Sequence, residues 1–552
     1  IHEDAEGYLW IGTESKGLNR LDPKTGKFKR YQHQSNNSKS LHDNYISTII
    51  DAGKGNLWLG TESGVEYFDT KNEIFTNYSM DQADEFSLSN NSVASIYKDD
   101  QGILWVGTYS GGINKYVASI SYFDHIHSRF TDPNSLSADV VTSFAEDEKG
   151  NVWIGTDGEG LNFVKKGSNK HQHIKASGNK GGLANNIIMS MIYSKKNRKL
   201  WVGTYGGGLS EYDPATRTFK LYSKGAGPKN LSGNTIYTLF EDHNGKIWAG
   251  TNGDGLNVID PKTGVITKFQ YQKDNPKSLS NDFIQSLFED RSGNIWVGTY
   301  FGGLSIYHPA TGTFSRYDQK NSALESDIIS SIKGDRKGRI WVGTSGGGLA
   351  LYEPRRDNFK VFDQEEGLPN NVINSTIEDA KGYIWISTNN GVSRMDPEKN
   401  IFRNFTIDNG LQGLEFLARS SLLSSDGLIY FGGNKGYNRF NPLKSMQAGI
   451  ASRVVLTDFM LFNKSLVPGP NSPLKQEISL AKTITLPYNQ TVLSFQFSSL
   501  NYTVPDKNSY AYMLEEFDEA WNYVGAGRTA TYTNLDPGVY TFKVKAANVD
   551  GI

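Results

Sequence analysis

Apolar and polar residues alternate in short runs along nearly the whole chain, as in Phe283 to Phe288, and each run is cut off by Gly, Asn, Asp, Ser or Thr. Alternation with a period of two puts one face of an extended strand into a core and the other toward a neighbour. The breaks recur every 8–12 residues, which leaves no room for the 3.6-residue periodicity of a helix. The pattern therefore predicts many short strands joined by tight turns.

The runs repeat as a unit. Trp10, Trp58, Trp105, Trp153, Trp201, Trp248, Trp296, Trp341 and Trp385 stand 44–48 residues apart, and Tyr430 takes the Trp position in a tenth copy. A typical copy reads Asp290-Arg291-Ser292-Gly293-Asn294-Ile295-Trp296-Val297-Gly298-Thr299, then Gly303 to Tyr307, then Pro309-Ala310-Thr311-Gly312 and Phe314 to Tyr317. With the run before it, that is four strands and three turns, the unit of a β-propeller blade. One such sheet cannot bury both faces, so the blades must stack, with the Trp between them. The Gly of each Asp-x-x-Gly supplies a positive φ for a hairpin turn, and the Asp is expected to accept hydrogen bonds from its own turn.

Ten copies exceed one ring. Several copies end in a Pro turn (Asp213-Pro214, Asp260-Pro261, His308-Pro309, Asp396-Pro397), whereas the third runs on from Tyr116 to Phe123 without one. The expected fold class is all-β. Residues 1–127 read as three blades of a truncated upstream propeller, the first lacking most of its inner strand. Residues 128–450 read as a seven-bladed propeller. The ladder then stops, and residues 451–552 read as an immunoglobulin-like β-sandwich, incomplete at its C-terminus. Its expected strands are Val454 to Phe462, Ile484 to Leu486, Val492 to Phe497, Tyr510 to Leu514, Thr529 to Tyr532 and Tyr540 to Ala546.

Composition narrows the function. The 57 Lys+Arg balance 59 Asp+Glu, which argues against nucleic acid as a partner. With no Cys, disulfides, thiol catalysis and Cys-ligated zinc are excluded. No run approaches the length of a transmembrane helix. The chain starts at Ile1 without Met and stops inside a pattern, so it reads as a piece of a longer protein.

The repeat Asp-x-x-Gly-x-Leu/Ile-Trp-Val-Gly-Thr-x-x-Gly-Gly-Leu resembles the two-component regulator propeller repeat. The tail, through Tyr510-Ala511-Tyr512-Met513-Leu514-Glu515, Trp521 and Ala530 to Tyr540, is similar to the triple-Tyr domain that follows it. The resemblance covers essentially the whole chain. It implies the periplasmic sensor region of a hybrid two-component system. That region would bind oligosaccharides from polysaccharide breakdown, pair as a homodimer through the sandwich, and signal to a membrane helix and histidine kinase downstream. It implies no cofactor, and no enzyme activity in this chain.

Within the repeat the residues after the invariant Thr vary. They sit on turns that should share one surface with the loops leading into the inner strands, so they are where ligand reading is expected. The candidates are Tyr109, Asp157, Glu159, Tyr205, Asn252, Asp254, Tyr300, Phe301 and Asn389. Tyr and Phe would stack on sugar faces, and Asp, Glu and Asn would bind hydroxyls. The alternatives are a propeller glycoside hydrolase or polysaccharide lyase, and a non-catalytic protein-interaction scaffold. Carboxylate pairs such as Glu241/Asp242 and Glu289/Asp290 recur in register, whereas a glycosidase needs one unique pair. The recurrence thus argues for structure. His125/His127 and His171/His173 have the i, i+2 spacing of a strand-borne metal site, but no third ligand is evident, so no metal is expected.

Overall fold

The computed structural model describes residues 1–82, 86–117, 122–130, 132–176, 181–444, 453–503, 505 and 508–547. They contain no α-helix; one 3₁₀ turn spans Ile407–Asn409. No helix is long and apolar enough to cross a membrane. The chain divides into two compact units, one of residues 121–445 and one of residues 1–120 with 446–552.

The larger unit is a closed ring of seven four-stranded antiparallel sheets. The inner strands are Val141–Glu146, Ile188–Ser194, Ile236–Glu241, Ile284–Glu289, Ile329–Gly334, Ile373–Glu378 and Phe416–Leu423. Each packs against the next, and the last packs against the first. The seventh sheet takes its outer strand from the other end of the sequence: Asp124–Ile126 pairs with Gly436–Phe440. The boundary expected at residue 128 would cut this strand off. The ring starts before it, because closure needs a strand from the N-terminal side to seal the last sheet.

Why these residues form blades follows from their side chains. The Trp at the second strand is buried in six of the seven ring blades, and Tyr430 is buried in the seventh. Trp201, for example, packs with Leu231, Ile236, Leu239 and Ile247 of the following blade. Its neighbour two residues on is Gly203, where an added Cβ would lie 2.8 Å from Ile236 of that blade. So the Trp-x-Gly pattern records close approach of adjacent sheets. Leu136, Leu231 and Leu279, from the long loops, are each almost fully buried in these inter-blade cores.

The recurring carboxylates are tied into the scaffold. Asp290 Oδ1 accepts from the backbone N–H of Ser292 and Asn294, and Oδ2 accepts from Trp296 Nε1 at 3.0 Å. Burial works to raise its carboxyl, but these hydrogen bonds win and hold it below its ordinary value. The same Trp-to-Asp bond recurs at Asp4, Asp99, Asp242, Asp335 and Asp379. The adjacent Glu serves a neighbouring blade. Glu289 accepts from His243 N at 2.8 Å, Glu378 from Arg336 N at 2.8 Å, and Glu146 from Ser425 N at 2.8 Å across the seam of the ring.

The smaller unit holds three further sheets of the same kind. The first has an inner strand of only two residues, His2–Glu3, and the third has three strands among the described residues. Residues 118–121 of the join after it lie outside the described residues. The C-terminal part of this unit is two sheets. One has the order Lys464–Ser465, Val454–Leu461, Val492–Ser499, Thr529–Thr533; the other is Asn522–Gly525, Ser509–Glu515, Thr541–Ala547. Between them lies a core of Phe459, Leu493, Phe497, Tyr510, Leu514 and Tyr532. This is the four-plus-three arrangement of an immunoglobulin-like sandwich. The strand expected at Ile484 to Leu486 is absent: both residues pack on the core, but Leu486 precedes Pro487 and the segment joins no ladder.

Candidate ligand-binding face

The turn after each invariant Thr is placed by two sets of backbone bonds. Its first residue donates to the residue preceding its own blade's inner strand: Asp157 to Val140, Tyr205 to Ile187, Asn252 to Thr235, Tyr300 to Phe283 and Ser345 to Ile328, all at 2.9–3.1 Å. The Gly that closes the turn donates to the loop of the following blade, as Gly160 does to Asn186, Gly255 to Asp282 and Gly303 to Asp327. Gly436 to Asp139 completes the circle at the seam. Second-to-third-strand turns and inner-strand loops therefore share one face, centred on the ring axis. The invariant Thr is buried and bonds the closing Gly, as Thr299 Oγ1 does to the Gly303 carbonyl at 2.8 Å. This leaves the variable residues to point outward.

The candidates fall into distinct settings. Asp157, Tyr205 and Asn252 are exposed on their turns. Tyr109 is exposed on the equivalent turn of the smaller unit, not on the ring. Glu159 forms an ion pair with Lys175, and Asp254 pairs with Lys224 at 2.9 Å. Both carboxylates are thus partly committed. Asn389 accepts from Asn374 Nδ2 at 2.8 Å; Asn374 is the second residue of the sixth inner strand, so this pair sits where the face meets the axis.

Tyr300 and Phe301 differ from the rest. Their ring centroids are 4.2 Å apart, and Phe301 is 66% exposed. Its φ is +68°, a left-handed conformation that the equivalent Gly158, Gly206, Gly253 and Gly346 adopt without a Cβ penalty. Blade four alone carries a large side chain there, at a backbone cost of about 1–2 kcal/mol. The Phe283 carbonyl accepts from Tyr300 N, but its ring, 43% exposed, lies toward the third-blade turn, about 3.0 Å from where a Cβ on Gly253 would be. Phe283 and the Tyr300–Phe301 pair are thus exposed aromatics at the adjacent turns of the third and fourth blades.

The axial mouth holds residues that the repeat pattern did not single out. In most inner strands the register slips at the second position, as between Ile284 and Ser286. This bulge turns the second residue away from the ladder. Where that residue is small it ties blades together, as Thr142 Oγ1 does to the Ile188 carbonyl at 2.6 Å. Where it is large it stays at the mouth, as Tyr237 and Gln285 do. In the seventh blade the irregularity is wider, running from Phe416 to Ser421. Arg419 lies inside it with φ +65° and spans the ring to the opposite side. Its Nη1 donates to Gln285 Oε1 at 2.7 Å and to the Gln285 carbonyl at 3.2 Å, and its guanidinium lies 4.1 Å from the centre of the Tyr237 ring. The seventh blade departs most from the repeat, which is the one sequence signal that pointed there.

The other sites weighed in the sequence resolve into structure. His171 is buried between Asn134 and Tyr437, and burial pushes its imidazole below its ordinary value; His173 bonds the Ser135 carbonyl. Among the described residues no group of three or more His, Cys, Asp or Glu is placed to hold a metal ion. A cavity of about 270 Å³ lies at the seam of blades one and seven, lined in part by Val152, Lys166, Asp426, Tyr430, Tyr437 and Arg439. It is at the opposite end of the blades, and none of the candidate residues lines it.

The chain matches known families in both parts. The two component regulator propeller family matches residues 87–110, 135–158, 230–253, 278–301, 323–346 and 367–390, and the Y_Y_Y domain matches residues 501–552. The whole chain superposes on the extracellular domain of a hybrid two-component system of B. thetaiotaomicron, with 27% identity, a TM-score of 0.71 and 82% of that chain covered. A second such domain from the same organism matches the whole chain at 25% identity and a TM-score of 0.50, with 72% of that chain covered. Histidine kinase P4 of Formosa agariphila is 35% identical over 154 residues, which are 27% of this chain and only 11% of that kinase. The chain thus carries two-component regulator propeller repeats and a Y_Y_Y domain, and its fold is similar to that of the extracellular domain of a hybrid two-component system.

Proposed function

We propose that this chain is the periplasmic ligand-sensing region of a hybrid two-component histidine kinase. It binds oligosaccharides from polysaccharide breakdown on the axial face of the seven-bladed ring, and passes the bound state through the β-sandwich to a membrane helix and kinase beyond it. The sandwich pairs two copies of the chain. The observation that carries the reading is the match of the entire chain, propeller and sandwich together, to the extracellular domain of one such system. Position on the face is supported by the strained, exposed Phe301 beside Tyr300, with Phe283 exposed at the neighbouring turn. Aromatic faces of this kind pack against the C–H faces of sugars, and strain of this kind clusters at functional sites. The region acts by binding rather than by chemistry. The carboxylates that recur in the blades are engaged by turn amides, Trp side chains and neighbouring blades, and a hydrolase would need a pair free to exchange protons with substrate.

A panel of oligosaccharides titrated into the protein in a calorimeter, with the same mixtures chromatographed for cleavage, tests this. Saturable binding of one sugar class with no new products is the expected result. Turnover would make the protein an enzyme. Silence across the panel, with capture of a protein partner, would make it an interaction scaffold.

A further inference from the structure

The innermost strands of the ring carry six charged residues: Glu146, Glu241, Glu289, Glu378, Lys333 and Arg419. All four acids accept hydrogen bonds from adjacent blades. Neither cation meets an acid among the described residues. Lys333 keeps access to solvent, yet its surroundings push its ammonium below the ordinary value, and burial does the same to Arg419. Lys333 and Arg419 are thus the cations of these strands left without a charged partner among the described residues.

Arg419 is held in an unusual way. Gln285 and Tyr237 fix Nη1 and the face of the guanidinium, while Nε is buried with no hydrogen-bond partner. A buried ionic donor left unpaired is costly, and so is a non-Gly residue with φ +65° inside a bulged strand. Native structures rarely keep either without a reason. A guanidinium that meets no acid is suited to pair with an oxyanion through its N–H groups. That of Arg419 sits at the axial mouth against Gln285, two residues along the same chain from the exposed ring of Phe283.

We propose that Arg419 is the oxyanion-binding point of the ring, and that its ligand is an acidic sugar whose carboxylate or sulfate meets the guanidinium while a ring face lies on Phe283 or Phe301. This rests on the sugar-sensing reading and narrows it. A neutral sugar would leave this guanidinium without an anionic partner; an acidic one supplies it. Carboxylate and sulfate share this chemistry.

The test compares four probes by calorimetry: tri-galacturonate, its methyl ester, a 4-sulfated galactose disaccharide and a neutral galactose trisaccharide. The expected result is binding of one or both anionic probes and, where tri-galacturonate binds, an ester weaker by roughly 10–100-fold. Arg419→Gln should lose a similar factor, with Arg419→Lys between the two, and the melting temperature of Arg419→Gln should not fall. The comparison of acid with ester uses the unaltered protein, so it stands even where a variant fails to fold. Binding of the ester or of a neutral galactose trisaccharide as tight as that of the acids overturns the proposal and leaves sugar sensing intact. So does acid binding that Arg419→Gln does not weaken. Silence from every sugar, neutral or acidic, removes both.

Discussion

At the scale of single residues, the repeat separates scaffold from reading positions by what each side chain is bonded to. The Trp ladder looks uniform in sequence but is not so in energy. Trp385 donates to Asp379 at 2.9 Å, whereas the indole N–H of Trp201 is buried with no partner, Lys195 standing in its blade at the position Asp379 takes in the other. Trp385→Phe therefore loses a charge-assisted hydrogen bond and strands a carboxylate. Trp201→Phe loses only packing. Chemical denaturation should rank Trp385→Phe as the more destabilising by about 1–2 kcal/mol. Phe301 gives a contrast in the other direction. Replacing it with Gly relieves the left-handed backbone, so Phe301→Gly should stabilise the ring by about 1 kcal/mol or slightly less after the entropy of Gly is counted, while weakening ligand binding. A variant that loses stability and keeps full affinity would show Phe301 to be structural.

At the scale of elements, the fold was legible where residues repeat and hidden where the chain departs from its own pattern. Trp spacing, the Asp-x-x-Gly turns and the paired carboxylates each record a contact that recurs in blade after blade, so repetition announces it. The closing strand Asp124–Ile126 makes its contact once, more than 300 residues away in sequence, and no periodicity marks it. The bulge that aims Arg419 across the axis likewise occurs once, in the blade with the least regular sequence. Of the expected face residues, Tyr300 and Phe301 form an aromatic pair, while Phe283, exposed at the neighbouring turn, was not marked by the repeat. The seam is the element on which closure depends. Gly436 has φ +97°, and a Cβ there would lie 2.1 Å from the Ile126 carbonyl oxygen. Gly312 also has a positive φ, but an added Cβ would meet nothing within 4 Å. Gly436→Ala should therefore destabilise the ring well beyond the roughly 1 kcal/mol expected for Gly312→Ala. Hydrogen exchange should report it first as lost protection at Tyr437 to Arg439.

At the scale of the whole molecule, the two ends of the ring do different work. The end bearing the Asp-x-x-Gly turns is spent on holding blades together, through Asp to Trp and Glu to the neighbouring turn. The other end is built on the same backbone frame in every blade, yet carries a different side chain on each turn and a lone guanidinium at its centre. Such a frame can present a blade-specific surface without altering the fold beneath it. The measurement that tests this most directly is hydrogen exchange of the protein with and without a saturating oligosaccharide found by calorimetry. Protection confined to the turns 252–255 and 300–303 and to the inner-strand starts near Gln285 and Arg419 is the result the account predicts. Protection at the Asp-x-x-Gly turns of the opposite end, with the axial face unchanged, would contradict it.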